Sequence, residues 1–390
     1  MTHLAPNNPF IAGVGMTAFG KHKNRSLIDL GVEAVQDAIE DAGVIPREIQ
    51  AAYCGSAMAA LVQKETGVGQ SVLMQLGIGR IPVVNVENAC ATGATALHLA
   101  WRDVAWGIHD VVLAFGVDKA VMPKGTVLEA GTAQFEAQLG DIFPGTFALI
   151  ANRHMTTYGT TLEQMAQVSV KNHDNGALNP KAQFNKPVTL DEVLSSPMIA
   201  DPLTLFSCCP NSDGAAAAIV CSREWMKARA AEGIEIAASV LASGDYEPQR
   251  DMTYWESELY CARSAYAAAG ISPRDVDLVE VHDAFTISEI VHCETLGFCA
   301  RGEGGAFVAN GETALTGSIP INPSGGLLAR GHPPGASGLA QIYEIVQQLR
   351  GNAGNRQIGW AEIGLAQIMG GNKGNDAQAC AVHILRKAPT

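Results

Sequence analysis

The feature that most constrains this chain is an internal repeat. Asp37-Ala38-Ile39-Glu40-Asp41-Ala42-Gly43 ends an amphipathic helix, Pro46-Arg47 opens a short turn, and Ala51-Ala52-Tyr53-Cys54-Gly55 reads as a strand. The same design returns at Ala267-Ala268-Ala269-Gly270, Pro273-Arg274 and Asp277–His282. In both copies a glycine closes the helix, because a residue without Cβ takes the left-handed conformation at little cost. A second echo relates Ala91-Thr92-Gly93-Ala94-Thr95-Ala96-Leu97 to Pro334-Gly335-Ala336-Ser337-Gly338-Leu339. Each opens a helix with small residues, which let two helices, or a helix and a ligand, approach closely. The chain therefore reads as two halves of one design.

Each half is α/β. Val111–Gly116 and Ala215–Cys221 are continuous apolar runs, typical of strands covered on both faces, and Ile319–Ile321 begins another. A length of 390 residues exceeds one ordinary core, and 47% hydrophobic with 17% charged residues describes a closely packed enzyme. The expected division is an N-terminal half of residues 1–118 plus 201–230, a C-terminal half of 231–390, and an inserted segment 119–200. That segment carries scattered Pro and Gly, a polar stretch Lys171–Asn185, and amphipathic helices near Leu162–Asn172 and Leu190–Leu194. Phe143, Phe147, Met155 and Tyr158 give it apolar content of its own, so it is expected to lie over an active site.

A net charge of −13 excludes nucleic acid as the main partner. Nine cysteines form no CxxC pair, and the adjacent Cys208-Cys209 is no zinc signature, so no metal is expected. Their odd number suits a reducing, cytoplasmic setting. No charged-plus-apolar N-terminal signal and no apolar run approaching 18 residues is present, so no membrane association is expected.

Three clusters carry chemistry. Cys90, in Glu87-Asn88-Ala89-Cys90-Ala91-Thr92-Gly93, sits between a strand end and a helix start. There the unpaired amides and the macrodipole are expected to favour a thiolate. A buried bystander cysteine is the plain alternative for such a residue taken alone. His332 stands between Gly331 and Pro333, on a turn that directly precedes a helix, so its ring is fixed and suited to act as general base. His282-Asp283-Ala284-Phe285 ends the repeated strand, where α/β folds place ligands. Asp283 sets the imidazole, anchors the turn, or caps the helix expected over Thr286–Thr295.

These pieces together resemble the thiolase superfamily over nearly the whole chain. Glu87–Gly93 is similar to the acylated-cysteine motif, Gly331-His332-Pro333-Pro334-Gly335-Ala336-Ser337-Gly338 to the GHPxGAxG signature, and Asn211-Ser212-Asp213-Gly214-Ala215-Ala216 to the turn before the last strand of the first half. The resemblance implies a thiolase-like fold: two βαβαβ-type halves stacked as five layers, α-β-α-β-α, with an inserted loop domain covering coenzyme A. His282-Asp283-Ala284-Phe285 looks like the sterol-carrier-protein type and its bacterial and archaeal relatives. It further implies Cys90 as nucleophile, His332 as base, and His282 with His332 holding the thioester oxygen. The backbone of Cys90 and a turn at Gly370 would meet the acyl oxyanion, and Ser324 and Gly325 would touch coenzyme A, the co-substrate. No permanently bound cofactor is implied.

One departure matters. Ile368, in Ile368-Met369-Gly370-Gly371, stands where the family's second catalytic cysteine falls, and the alternative position in the His-Asp motif is Ala284. Cys293, Cys299 or a tyrosine are left as replacements, or substrate chemistry that lessens the need for one. The implied reaction is thiolysis of a 3-oxoacyl-CoA or the reverse Claisen condensation, with aromatic or branched substrates such as benzoylsuccinyl-CoA among those handled by the resembling group. Met122, Phe135, Phe143 and Phe147 are apolar candidates for the acyl pocket. The alternative is a retro-aldolase acting on a CoA-linked side chain with a small zinc-ribbon/OB-fold partner. A non-catalytic scaffold fits poorly with Cys90, His282 and His332 all present. Homodimerisation through the first half is the expected assembly.

Overall fold

The computed structural model describes residues 8–122, 138–229, 233–246, 251–373 and 376–388. Its strands are β1 (Phe10–Met16), β2 (Ala51–Gly55), β3 (Val83–Val86), β4 (Val111–Lys119), β5 (Met198–Ala200), β6 (Leu203–Thr204), β7 (Asp213–Cys221), β8 (Ile234–Ala242), β9 (Leu278–Glu280), β10 (Ile363–Lys373) and β11 (Asp376–Lys387). β5 and β6 form a small pair of their own, and the others are hydrogen-bonded in the order β3-β2-β4-β7-β1-β8-β11-β10-β9.

That order contains the duplication. In the first half β2 is parallel to β3 and β4, and β7 is antiparallel to β4 and β1. In the second half β9 is parallel to β10, and β11 is antiparallel to β10 and β8. The counterpart of β3 is reduced to a single parallel bridge, Val279↔Ile321, at the run expected to start a strand. The two sheets are joined where β1 meets β8, at Phe10↔Glu235 and Ile11↔Ile234. The repeated helix ends also match: Gly43 and Gly270 take φ values of 62° and 70°, and short 3-10 turns follow at Pro46–Glu48 and Pro273–Asp275.

Strand alternation explains the layering. Val111, Leu113, Phe115 and Val117 of β4 pack with Leu30, Val35 and Ala38 of the outer helix Leu27–Ala42. Val112 and Ala114, on the other face, pack with Leu97 and Ala100 of Thr92–Ala105 and with Leu339 and Ile342 of Pro334–Leu349. Those two central helices also bear on the second sheet, through Leu278 and Ala366. Beyond it, Glu256–Ala269 packs Cys261, Ala262 and Ala265 against Val382 and Ile384. The result is five layers.

The central layer is thin because small residues permit it. A Cβ on Gly116 would stand 2.0 Å from the Gly335 carbonyl oxygen, and one on Gly338 would stand 2.6 Å from the Ala94 nitrogen. The two echoing helix starts therefore touch each other, as their composition suggested.

Between the halves, Phe143–Tyr158, Leu162–Ala177 and Leu190–Ser195 are helices. The last two fall where the amphipathic pattern put them, whereas the first, with an Ile-Phe-Pro entry, was not anticipated. Phe135 lies outside the described residues. Among the described residues no helix is long and apolar enough to cross a membrane.

Candidate active site

Cys90 follows β3 on a tight turn. Ala89 takes a positive φ of 48°, unusual for a residue with Cβ and a local strain of about 1–3 kcal/mol. The turn is pinned by Asn88, whose amide nitrogen donates to Thr92 Oγ1 at 2.8 Å and whose side chain donates to Thr95 Oγ1 at 2.9 Å. His332 arrives from the other half. Its backbone N–H donates to Ser212 Oγ at 2.9 Å, so the Asn211–Gly214 turn holds it. Asp118, at the end of β4, fixes the next step by accepting from Gly335 N at 2.6 Å as well as from Ser56 Oγ and Met58 N.

His332 Nε2 lies 3.2 Å from Cys90 Sγ. The other ring nitrogen, Nδ1, is 2.7 Å from Ser337 Oγ, and that hydroxyl donates its proton to Pro333 O at 2.9 Å. A hydroxyl that has given its proton away can only accept, so Nδ1 carries the ring proton. Nε2 is left with a lone pair facing the thiol, which is the tautomer a general base needs. Ser337 was read only as a small residue in the motif; its second role depends on the helical turn that brings residue 337 under residue 332.

The resting charge state differs from the expectation of a thiolate. Burial pushes the Cys90 thiol up to about 12, against the pull of the Gly371 and Cys90 amides and with Asp118 and Glu87 adding to the rise. Burial, with Arg330 behind it, pushes His332 down to about 3. The pull of these two amides is outweighed by desolvation. The resting pair is thus a thiol and a neutral imidazole.

His282 completes the cluster. Its ring stands 5.4 Å from that of His332, centroid to centroid, and one donor atom each from Cys90, His282 and His332 lie within 4.8 Å of one another. Its backbone is clamped on both sides: N–H to Gln367 Oε1 at 3.1 Å, and carbonyl oxygen to His292 Nε2 at 3.0 Å. His282 Nε2 is buried without a partner among the described residues. Burial, then the charges of His332 and His292, push this imidazole well below its ordinary value, so it is neutral and has one proton to donate. Asp283 does not cap Thr286–Thr295. It accepts from Leu327 N at 2.6 Å, Leu328 N at 3.3 Å and Asn172 Nδ2 at 2.7 Å, anchoring the turn that leads to His332.

The remaining expected residues fall in different places. The Gly371 amide, rather than that of Gly370, is directed at Cys90. Gly370 instead packs so closely that a Cβ would meet Asn88 O at 2.1 Å. Ser324 is fully buried; its hydroxyl donates to Glu280 Oε2 and accepts from Arg330 Nη1. Gly325 packs on Gly176, and neither residue borders the cavity beside Cys90. Ile368 packs with Ala91 and Ala94 of the Cys90 helix, and its neighbour Met369 faces the cavity. Cys293 is wholly buried, and Cys299 does not reach the cavity.

That cavity, about 590 Å³, opens on Cys90, His282 and His332 and is walled by Phe143, Phe147, Ile150, Trp255, Phe285 and Met369. Phe147 stacks on Phe285 with centroids 4.4 Å apart, joining the inserted segment to the His-Asp motif. Met122 does not reach it. Cys208 and Cys209 do border it. Sequence reading passed over them, although they directly precede the Pro210–Gly214 turn that supports His332.

Comparison with known proteins agrees with this site. Residues 10–224 match the thiolase N-terminal domain and residues 239–386 the thiolase C-terminal domain-like family. An acetyl-CoA acetyltransferase of Methanothermobacter thermautotrophicus is 44% identical over 97% of this chain and 99% of its own. The benzoylsuccinyl-CoA thiolase subunit BbsB of Thauera aromatica is 39% identical over 90% of this chain and 91% of its own. Sterol carrier protein 2 of Bos taurus is 36% identical over 98% of this chain and 75% of its own. Among solved structures, the Ltp2-ChsH2(DUF35) aldolase superposes with a TM-score of 0.83 at 29% identity, over 100% of both chains. With both halves matched, a paired thiol and imidazole at their junction, and relatives of this kind, the chain belongs to the thiolase family and is an acyltransferase.

Proposed function

We propose that the enzyme cleaves a 3-oxoacyl-CoA with coenzyme A, or runs the reverse Claisen condensation, through an acyl group carried on Cys90. The observation that carries this reading is the 3.2 Å contact between Cys90 Sγ and His332 Nε2, with the tautomer set by Ser337. As sulfur attacks the 3-oxo carbonyl, His332 takes the thiol proton, so neither charged form has to exist alone in the buried site. The Gly371 and Cys90 amides meet the developing oxyanion. The C2–C3 bond breaks, and the thioester enolate that leaves is met by the unpartnered Nε2 of His282. Coenzyme A thiol then attacks the acyl-cysteine and releases the shortened thioester.

The apolar, aromatic wall favours a bulky acyl group over acetyl alone, and the likeness to BbsB supports an aromatic one such as benzoylsuccinyl-CoA. Residues 138–200, within the segment 119–200, supply much of that wall and cover the acyl end. Homodimerisation through the first half is supported by β3, an edge strand on which Val84 is 44% exposed.

Cys90→Ala should abolish transfer of radiolabelled acyl group to the protein and turnover with it; persistent labelling of another residue would overturn the assignment. A second reading, retro-aldol cleavage of a CoA-linked side chain with a small DUF35-type partner, is favoured by the likeness to the aldolase. Consumption of free coenzyme A separates the two, because thiolysis uses it stoichiometrically and aldol cleavage does not.

A further inference from the structure

Thiolysis on Cys90 needs a group that gives a proton to C2 of the departing enolate and later takes one from coenzyme A thiol. Ile368 and Ala284 offer none. We propose that Cys209 is this acid/base, a role that rests on the thiolase reading above.

Three observations place it there. Cys209 borders the same cavity as Cys90, His282 and His332. Its backbone is tied to the His-Asp motif itself: Cys209 N donates to Ala284 O at 2.9 Å, and Cys208 bridges Phe285. Residue 209 is thus held at the cavity beside Ala284, from a different segment of chain, with its thiol near enough to Cys90 and Asp283 to interact with both. Finally, the buried and unpartnered His282 Nε2 looks into the same space, marking where a substrate oxygen is awaited. Cys208 is the weaker choice, because its thiol is already directed at Thr204 O, 3.4 Å away.

The chemistry balances. When C2–C3 breaks, the electron pair on C2 takes the Cys209 proton, leaving a thiolate. That thiolate then removes the proton from coenzyme A thiol as the sulfur attacks the acyl group on Cys90. One proton goes out and one returns, and no other reactant is required. Burial, then the proximity of Cys208, Cys90 and Asp283, raise this thiol well above its ordinary value. Such a thiol holds its proton until an enolate calls for it, and the thiolate left behind is strongly basic.

The test is C2 proton exchange in D2O of the thioester that leaves as the enolate, succinyl-CoA for benzoylsuccinyl-CoA and acetyl-CoA for an unbranched 3-oxoacyl-CoA, read by mass spectrometry beside steady-state thiolysis and iodoacetamide labelling of Cys90. Cys209→Ser should lower kcat and exchange together by on the order of 100-fold, with Cys90 labelled as fast as in wild type. Cys299→Ala should change nothing. The double variant C209A/A284C, which returns a thiol to the neighbouring position, should recover exchange. Exchange in Cys209→Ser within about threefold of wild type overturns the proposal. So does failure of the double variant to recover while Cys90 is still labelled. Wild-type enzyme that neither exchanges nor thiolyses overturns the thiolase reading, and the role of Cys209 with it.

Discussion

The two halves share a strand order but spend their third strand differently. In the first half it is β3, an open edge: Val84, Asn85 and Glu87 are exposed, and Cys90 follows on a strained turn held by a few side-chain bonds. In the second half the same place shrinks to the Val279↔Ile321 bridge, and every residue from Ile319 to Ile342 is buried. Polar groups there are paired in layers: Asp283 with Asn172, Asn172 and Asn322 with Glu289, Glu289 with Lys171, and Glu280 with Arg330 and Ser324. On the proposed mechanism a nucleophile has only to be presented, which a short turn can do. On the proposed mechanism a base and an oxyanion donor must be oriented, and a buried, hydrogen-bonded network does that better than an edge.

Breaking each frame should expose the contrast. Asp283→Ala strips the acceptor from two buried amides and the Asn172 side chain. At about 1–3 kcal/mol for each unpaired group, urea denaturation should show a loss of about 3 kcal/mol or more. Its counterpart, Glu87→Ala, removes one exposed bond to Ala89 N and should cost under about 1 kcal/mol. Equal losses would mean that the nucleophile's turn is as tightly framed as the base.

The proton between the halves gives the next largest effect. With Cys90 pushed up to about 12 and His332 down to about 3, neither group titrates between pH 5 and 9, and the thiolate fraction climbs across that whole range. Alkylation of Cys90 by iodoacetamide should therefore rise about tenfold per pH unit without a plateau near neutrality. A plateau above pH 7 would instead reveal a resting thiolate–imidazolium pair, as the position of Cys90 near a helix start first suggested.

That reversal shows where the sequence is legible. The repeat, the two facing helix starts and the three reactive residues can be read directly, because each is written in glycine, proline or unbranched small residues at fixed spacing. The Cys90–His332 pairing follows from the resemblance, with the two residues far apart in sequence. Burial cannot be read in this way, so the helix-start argument leaves out the desolvation that pushes the Cys90 thiol up to about 12. Nor can contacts made across chain: Cys208-Cys209 looks inert until the bridge to Phe285 carries it to the cavity, and Asp118 looks like a strand-end acid until it caps the His332 helix at Gly335. Ile368 is the informative gap, since it directs attention to the thiols that the fold brings to the cavity, Cys208 and Cys209.

The smallest effect concerns assembly and tests the open edge itself. A strand edge with an exposed Val84 is a template for another chain, whereas lysine on an edge blocks pairing by placing a hydrated charge where a partner would dock. Val84→Lys should halve the mass read by light scattering if β3 is where two copies meet. Stability of the isolated chain should move by no more than about 0.5 kcal/mol, because the side chain is outside all four buried clusters of the described residues. Activity should fall only as far as the Cys90 turn relies on a second copy to brace it. A variant that stays dimeric would place the interface elsewhere.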